Sequence, residues 1–282
     1  YRTLPQLDSE IAGFISQRTR LTFEYSHPKV KLRISPQDVR VWGDESLTGD
    51  FAGFGLHESW AEIIFSENFQ LKLGRQELEY DDRRPLGNGN WNQNARSHDA
   101  AVFKFRKSGW KLDVIGAYNQ DGESLFDNYY DGPNYKGLAA VWLNKTFKER
   151  YYVSVLGIAD GFQHEDGSGK TPFRYTAGGH FKYEHKQLRM IAKAFSQAGE
   201  IWSGQKVSAW FAALNFKYQW DKWNIGAGID YFSGADTTDN PDNKIGTFSI
   251  PYATNHIYYG LLDFFTNIPA NTLNGGLNNL FV

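Results

Sequence analysis

The chain has 282 residues, with 30 Lys and Arg against 32 Asp and Glu, a formal charge of −2 and no cysteine. That excludes a disulfide framework, a Cys-ligated zinc or iron–sulfur centre, and the basic bias expected of a nucleic-acid binder. Mean hydropathy is −0.54, and no apolar run approaches the roughly twenty residues of a membrane helix, so helical spanning is excluded as well.

Residues Tyr1 to Ala12 lack a basic start followed by an apolar stretch, so no signal peptide is read there, and the chain is expected to begin after processing or to be a fragment. From Ile15 onward, large apolar or aromatic residues fall at every second position. Leu21, Phe23 and Tyr25 alternate with Arg20, Thr22 and Glu24. Phe173, Tyr175, Ala177, Gly179, Phe181 and Tyr183 alternate with Arg174, Thr176, Gly178, His180, Lys182 and Glu184. A period of two gives a strand one apolar and one polar face.

The predicted strands are Ile15–Tyr25, Val30–Val41, His57–Phe65, Phe69–Tyr80, His98–Arg106, Trp110–Asn119, Tyr135–Thr146, Arg150–Asp160, Phe173–His185, Leu188–Gln197, Val207–Gln219 and Trp223–Ser233. Many reach the length of about nine to eleven residues that a tilted bilayer-crossing strand needs, against about five or six in soluble domains. Aromatic residues make up 16% of the chain, which suits interfacial girdles. Short connections at Ser26–Lys29, Ser66–Asn68, Lys107–Gly109, Phe147–Glu149, Lys186–Gln187 and Trp220–Lys222 alternate with long ones at Gly43–Leu56, Asp81–Ser97, Gln120–Asn134, Gly161–Pro172 and Ala198–Lys206. Short periplasmic turns and long extracellular loops alternate in this way in an outer-membrane barrel.

The expected fold is therefore all-β, an antiparallel transmembrane β-barrel of the outer-membrane type, with about twelve strands visible. Two positions break the alternation. Pro36 cannot donate to the ladder and marks a candidate bulge that leaves the face of Arg40 open. Arg75 shares parity with Leu71 and Leu73, although an Arg facing lipid at the midplane costs about 2–4 kcal/mol; a bulge or an interfacial position would resolve it.

Six strings appear in order: FISQRTRL at Phe14–Leu21, SPQDVRVWGD at Ser35–Asp44, LHESWAEIIF at Leu56–Phe65, LGRQELEYDDRRPLG at Leu73–Gly87, WNQNARSHDA at Trp91–Ala100 and IPYATNHIYYGLLDFF at Ile250–Phe265. As a set the chain resembles the alginate export family of outer-membrane β-barrels, in its Bacteroidetes-type form. The resemblance implies a barrel of about 16–18 strands whose Arg- and Lys-lined lumen conducts an anionic polysaccharide or smaller anions. Residues 1–282 are then one barrel domain, expected to lack C-terminal strands because the chain ends in a Gly/Asn-rich stretch rather than an amphipathic closing strand; closure by about twelve strands is the alternative.

The candidate substrate pathway is Arg18, Arg20, Arg33, Arg40, Arg75, Arg83, Arg84, Arg96, Lys104 and Arg106. Guanidinium forks grip carboxylates and lower the barrier for an anion. The competing reading is a structural network, because Glu24, Asp38, Glu58, Glu62, Glu77, Glu79, Asp81 and Asp82 lie in the same stretch and suffice to neutralise it. The acidic loop with Asp236, Asp239 and Asp242 lacks the spacing of a calcium loop. His180 and His185 fall on opposite strand faces, against joint metal ligation.

Tyr80, Arg75, His98 and Asn94 supply the residue types of a polysaccharide lyase, and Glu77 with Glu79 those of a glycosidase, but two residues apart on a strand is more simply one polar face. No catalytic, metal or cofactor site is assigned. The leading expectation is a passive channel for alginate-like polysaccharide or small anions, embedded among lipid and lipopolysaccharide. The alternative is a non-conducting accessory barrel that scaffolds outer-membrane protein partners.

Overall fold

The computed structural model describes residues 13–282 apart from 47, 49–52, 124, 127–128, 131, 165–167, 236–243, 259–267 and 269–271. Tyr1 to Ala12 and the acidic loop with Asp236, Asp239 and Asp242 lie outside the described residues. The strands are β1 (Ser16–Arg20), β2 (Phe23–His27), β3 (Val30–Val41), β4 (Phe54–Ile64), β5 (Phe69–Gln76), β6 (His98–Lys107), β7 (Trp110–Tyr118), β8 (Gly137–Phe147), β9 (Tyr151–Gly161), β10 (Phe173–His185), β11 (Leu188–Glu200), β12 (Lys206–Trp220), β13 (Trp223–Phe232) and β14 (Leu277–Phe281). Each hydrogen-bonds its sequence neighbours in one up-and-down sheet, except that β1 and β2 both pair with β3.

The fourteen strands among the described residues exceed the expected twelve for two reasons. Ile15–Tyr25 is one strand position interrupted at Leu21 and Thr22, and the Leu21 amide still reaches the Pro36 carbonyl at 3.1 Å across the break. At the other end, Leu277–Phe281 pairs with β13 where no amphipathic strand was expected. Its register explains the miss: Leu277, Asn279 and Phe281 share a face with Phe232, Asp230 and Gly228, which leaves Asn278 beside Leu280 on the outward side.

By contact density the chain divides into two units: Tyr1–Ser66, Gln70–Ala101 and Pro251–Thr266 form one, and Glu67–Phe69, Val102–Ile250 and Asn267–Val282 the other. In the first, Phe23 and Tyr25 lie opposite Ile34 and Leu32 on an exposed outward face. The ladder slips at Pro36, since Ser35 pairs with Glu58 but Pro36 with Leu56. His57 is thus the extra residue of a β-bulge, which brings the consecutive, buried His57 and Glu58 to the same inner side. A second irregularity sits at Gly74, whose φ is +115° and where a Cβ would lie 2.3 Å from the Ser59 carbonyl, so only glycine fits.

The second unit is more regular. Registers run unbroken across β8 to β12, and β10, β11 and β12 are 13, 13 and 15 residues long. On β10, Phe173, Tyr175, Ala177 and Phe181 are exposed while Arg174, Thr176 and His180 are buried, as the alternation predicts. Two-residue turns join β6 to β7, β10 to β11 and β12 to β13, with Ser108, Lys186 and Asp221 at positive φ, the geometry that matches the twist of a hairpin. Trp110, Tyr218, Trp220 and Trp223 sit beside these turns on the outward face, forming one aromatic girdle.

The inner face here is not simply wet. Arg174 and Asp160 form a buried bidentate pair, yet Phe195, Phe211 and Phe232 are also inward and buried. Residues 244–250 cover them: Phe248 packs 5.6 Å from Phe211 and 6.1 Å from Phe232, and Gln197 exchanges hydrogen bonds of 2.8 Å with both the amide and the carbonyl of Ser249.

Val155 lies near the middle of β9 on the outward face and is 57% exposed. Val155→Arg is expected to lower the unfolding free energy by about 2–4 kcal/mol in urea titrations of the protein folded into lipid vesicles. An unchanged midpoint would mean that this face is not solvated by acyl chains.

Candidate functional site

The long connection after β5, residues 77–97, folds back onto the inner face of its own unit. It is shaped by tight turns: Asp81, Arg83 and Ala95 adopt positive φ, the Tyr80 amide bonds the Leu86 carbonyl at 3.1 Å, and the Arg96 amide bonds the Asn88 carbonyl at 2.6 Å. Residues 251–258 pack alongside as a brace. The Gly87 amide donates to the Tyr252 carbonyl at 2.8 Å, the Thr254 amide to Arg83 at 3.0 Å, and the Gly89 amide to the Thr254 hydroxyl at 3.0 Å. Arg96 donates to the carbonyls of Gly87 and Ala253, and burial lowers its pKa. Arg84, fully buried, lies 3.6 Å from the Tyr258 ring, whose hydroxyl donates to the Asp82 carbonyl. Burial and the nearby Asp82 raise the Tyr258 pKa, so the phenol stays protonated.

Arg18 and Arg20 hold the tip of this loop. Arg18 Nη1 donates to Asn90 Oδ1 at 3.0 Å and to the carbonyls of Asn90, Asn92 and Gln93 at 3.3, 3.2 and 3.4 Å. Arg20 donates to Gln37 Oε1 at 2.7 Å and to Asn90 Oδ1 at 3.4 Å. Gln37 in turn reaches the Asn94 carbonyl, and Gln93 reaches Ser16 Oγ at 2.7 Å. Each of these acceptors is uncharged.

The base of the loop is anchored differently. His57 Nε2 lies 2.8 Å from Glu77 Oε1, and Asn88 donates to Glu77 Oε2 at 2.9 Å. Burial pushes the Glu77 pKa up, but these hydrogen bonds and the charges of His57 and Arg20 outweigh it and hold the carboxyl below its ordinary value of 4.5. His57, Glu58 and Glu77 offer ligand atoms within 4.8 Å of one another, a grouping that suits a metal ion. Their oxygens are already engaged by Arg33 at 3.0 Å, Trp60 at 3.0 Å and Asn88, so hydrogen bonding accounts for the cluster.

The remaining expected cations fall into place singly. Arg33 bridges Glu24 and Glu58; Arg83 pairs with Glu79 at 2.9 Å; Arg106 pairs with Asp113, and Lys104 shares its strand face. Arg40 and Arg75 are not on the inner face. The extra residue of the bulge lies on β4, so alternation runs unbroken along β3 from outward Ile34 through Pro36 and Asp38 to Arg40, which pairs with Asp38 at 2.6 Å and Glu45 at 2.8 Å. Arg75 sits outward near the loop end of β5 and pairs with the exposed Asp99 at 2.8 Å, the interfacial position that its charge requires. Tyr80 and His98, considered for lyase chemistry, are buried, and His98 packs edge-on against Tyr252. His57 and residues 251–258 were missed; Pro36 was the one signal of the bulge that brings His57 inward.

Comparison with known proteins places this geometry. The family model described as alginate export matches residues 13–279. No curated protein sequence matches the chain. Among solved structures, Salmonella typhi OmpF in complex with daunomycin is 12% identical with a TM-score of 0.52, covering 86% of this chain and 78% of its own. Pseudomonas aeruginosa OpdL is 12% identical with a TM-score of 0.54, covering 88% and 66%. An anion-selective porin from Comamonas acidovorans is 8% identical with a TM-score of 0.50, covering 77% and 68%. The chain thus spans 66% of OpdL and 68% of the Comamonas porin, and the likeness establishes the outer-membrane β-barrel fold.

Because the folded-state pKa of Glu77 is depressed, its contribution to loop docking is complete above the ordinary carboxylate range and is lost as pH falls through the lowered value. Glu77→Gln is therefore expected to speed amide hydrogen exchange at residues 88–96 at neutral pH. After correction for intrinsic exchange, the unaltered protein should approach the variant on acidification. Equal protection of the two at neutral pH would remove Glu77 as the anchor.

Proposed function

The chain belongs to the alginate export family, and from that premise we propose that it is a passive outer-membrane channel for an anionic polysaccharide of the alginate class or for small anions. It is a transport barrel of the bacterial outer membrane rather than an enzyme. The observation that carries the finer reading is the state of Arg18 and Arg20. They stand two residues apart on one strand face, about 7 Å along β1, and are held by neutral amide oxygens. Arg33, Arg40, Arg75, Arg83 and Arg106 are spent on carboxylates. A guanidinium positioned by amides keeps its field for a passing anion, whereas one clamped between two carboxylates does not.

One observation favours the non-conducting alternative. Phe248 is inserted among inward-facing rings, which is how a lumen is closed rather than lined. In that reading the barrel is a scaffold for outer-membrane protein partners. Steady conductance of the reconstituted full chain supports the channel, and a barrel that never conducts supports the scaffold.

The double substitution Arg18→Glu with Arg20→Glu is expected to move the reversal potential in asymmetric salt toward cation preference in planar bilayers. Reversal potentials identical to those of the unaltered protein would remove both residues from the conduction path.

A further inference from the structure

The two ends of the second unit differ in charge. Its four hairpin ends, residues 104–111, 145–150, 182–189 and 217–222, hold twelve Lys and Arg against three Asp and Glu. The long connections at 119–136, 161–172 and 200–206 hold three against seven, so the basic bias belongs to the short-turn end alone. Lys107, Lys145, Lys148, Arg150, Lys186 and Lys222 form no ion pair among the described residues, and of the three acids Glu184 is already paired with Lys182 at 3.2 Å.

The ladder sets these turns side by side. Lys145 lies opposite Trp110, the Glu184 amide donates to the Arg150 carbonyl at 2.9 Å, and the Gln219 amide donates to the Gln187 carbonyl at 2.9 Å. Arg150 and Lys186, on two neighbouring turns, are close enough for both charges to act on His185. Like charges crowded across adjacent strands are destabilising, and an anion shared between them relieves the repulsion.

Their position against the aromatic girdle selects the kind of anion. Lys107 shares outward parity with the exposed Phe103, and Lys145 lies opposite the exposed Trp110 and Val153. Lys145 Nζ stands 5.1 Å from the centre of the Trp110 ring and 5.9 Å from that of Phe147, and donates to the Ser108 carbonyl. Its stem thus runs along the rings while its ammonium reaches the turn. Cations on the outward face at girdle depth meet the phosphate layer of a bilayer, not the lumen. Short turns mark the periplasmic side, so the leaflet they meet is the one built of phospholipid.

We propose that the short-turn end of the second unit is a docking surface for anionic phospholipid of the phosphatidylglycerol class. Lys148, Arg150 and Lys186 take the phosphate, the Arg150 fork supplying paired donors. The acyl chains lie along the outward rings of Tyr151 and Tyr183, which face each other across β9 and β10 with centroids 5.1 Å apart. This assignment uses the barrel fold and its orientation, and it stands whether or not the lumen conducts.

The test is native mass spectrometry of the delipidated, detergent-solubilised full chain, titrated separately with dioleoylphosphatidylglycerol and dioleoylphosphatidylcholine. The anionic lipid is expected to bind at least tenfold more tightly. Each cation near an anionic lipid surface is worth about a fivefold change, so Lys148→Gln with Arg150→Gln and Lys186→Gln is expected to abolish the preference. Lys170→Gln with Lys206→Gln and Lys244→Gln, which removes the same charge from the long-loop end, is expected to keep it. Inorganic phosphate in excess is expected to leave the bound lipid in place. Equal affinity for the two lipids overturns the proposal, as does a preference that survives in the turn variant or is lost equally in both variants. Displacement by phosphate overturns it too, since the surface would then be a free-anion site. Absence of lipid preference with capture of poly-L-glutamate overturns it by assigning the turns to an acidic protein.

Discussion

Hydrocarbon offers no hydrogen bonds, so every amide and carbonyl of a spanning strand must find its partner in the next strand. The unbroken registers from β8 to β12 meet that demand directly. The same constraint makes the side-chain period rigid, because a slip of one residue would turn a whole apolar row inward. Departures are therefore informative, and in the first unit they gather around one place. The interruption at Leu21 and Thr22, the slip between Ser35 and Pro36, and the positive φ of Gly74 all flank the inner surface that receives the 77–97 loop. There side chains take up strand carbonyls, Arg75 Nε donating to Leu56 at 2.9 Å and Gln76 Nε2 to Gly74 at 3.1 Å.

Charge placement follows from the ladder. Inward positions alternate along each strand, and neighbouring strands bring opposite charges into direct register, as Lys31 faces Glu62 at 3.4 Å. Pairs of this kind are worth little net stability, since desolvation offsets most of the attraction, but they cancel the field that each ion would project. Arg18 and Arg20 have Val39 and Gln37 rather than acids opposite them on β3, and the Glu77 and Glu58 carboxylates act on Arg20 through space without a hydrogen bond to it. Oxygens of the loop and of Gln37 then fix the forks in place without an ion pair.

How much of this could be read from the chain depends on the range of the interaction. Strand faces are local: Phe23, Tyr25 and Phe181 declare the outward side by position alone, and twelve of the strand positions follow. The bulge was signalled by Pro36, yet only the register shows that its extra residue is His57 on β4, so that the alternation of β3 carries through to Arg40 unchanged. The β14 strand escaped because its Leu277 and Phe281 turn inward and Asn278 outward, the reverse of the membrane pattern. Docking of residues 251–258 on the 77–97 loop spans 165 positions between Gly89 and Thr254, and at least one partner in most of its bonds is a backbone group, which carries no sequence signature. The expected arginine ladder resolved into individuals for a similar reason, as the partner of each depends on register rather than on composition.

The energies involved suit passage better than capture. An ion about 7 Å from one guanidinium in water gains about 0.6 kcal/mol, so two side by side contribute about 1.2 kcal/mol. A cation on the same path is repelled by the same amount, which separates the two signs by about 2.4 kcal/mol, a preference of roughly fiftyfold before screening. Salt at physiological strength screens beyond about 8 Å, so the effect is confined to ions that pass close to the loop. A well of this depth leaves release fast, while a buried bidentate pair such as Arg174 and Asp160 would hold its partner for far longer. Guanidinium groups at a selective yet permeable constriction must therefore be held by neutral acceptors, which is the arrangement that Asn90, Asn92, Gln93 and Gln37 provide around Arg18 and Arg20.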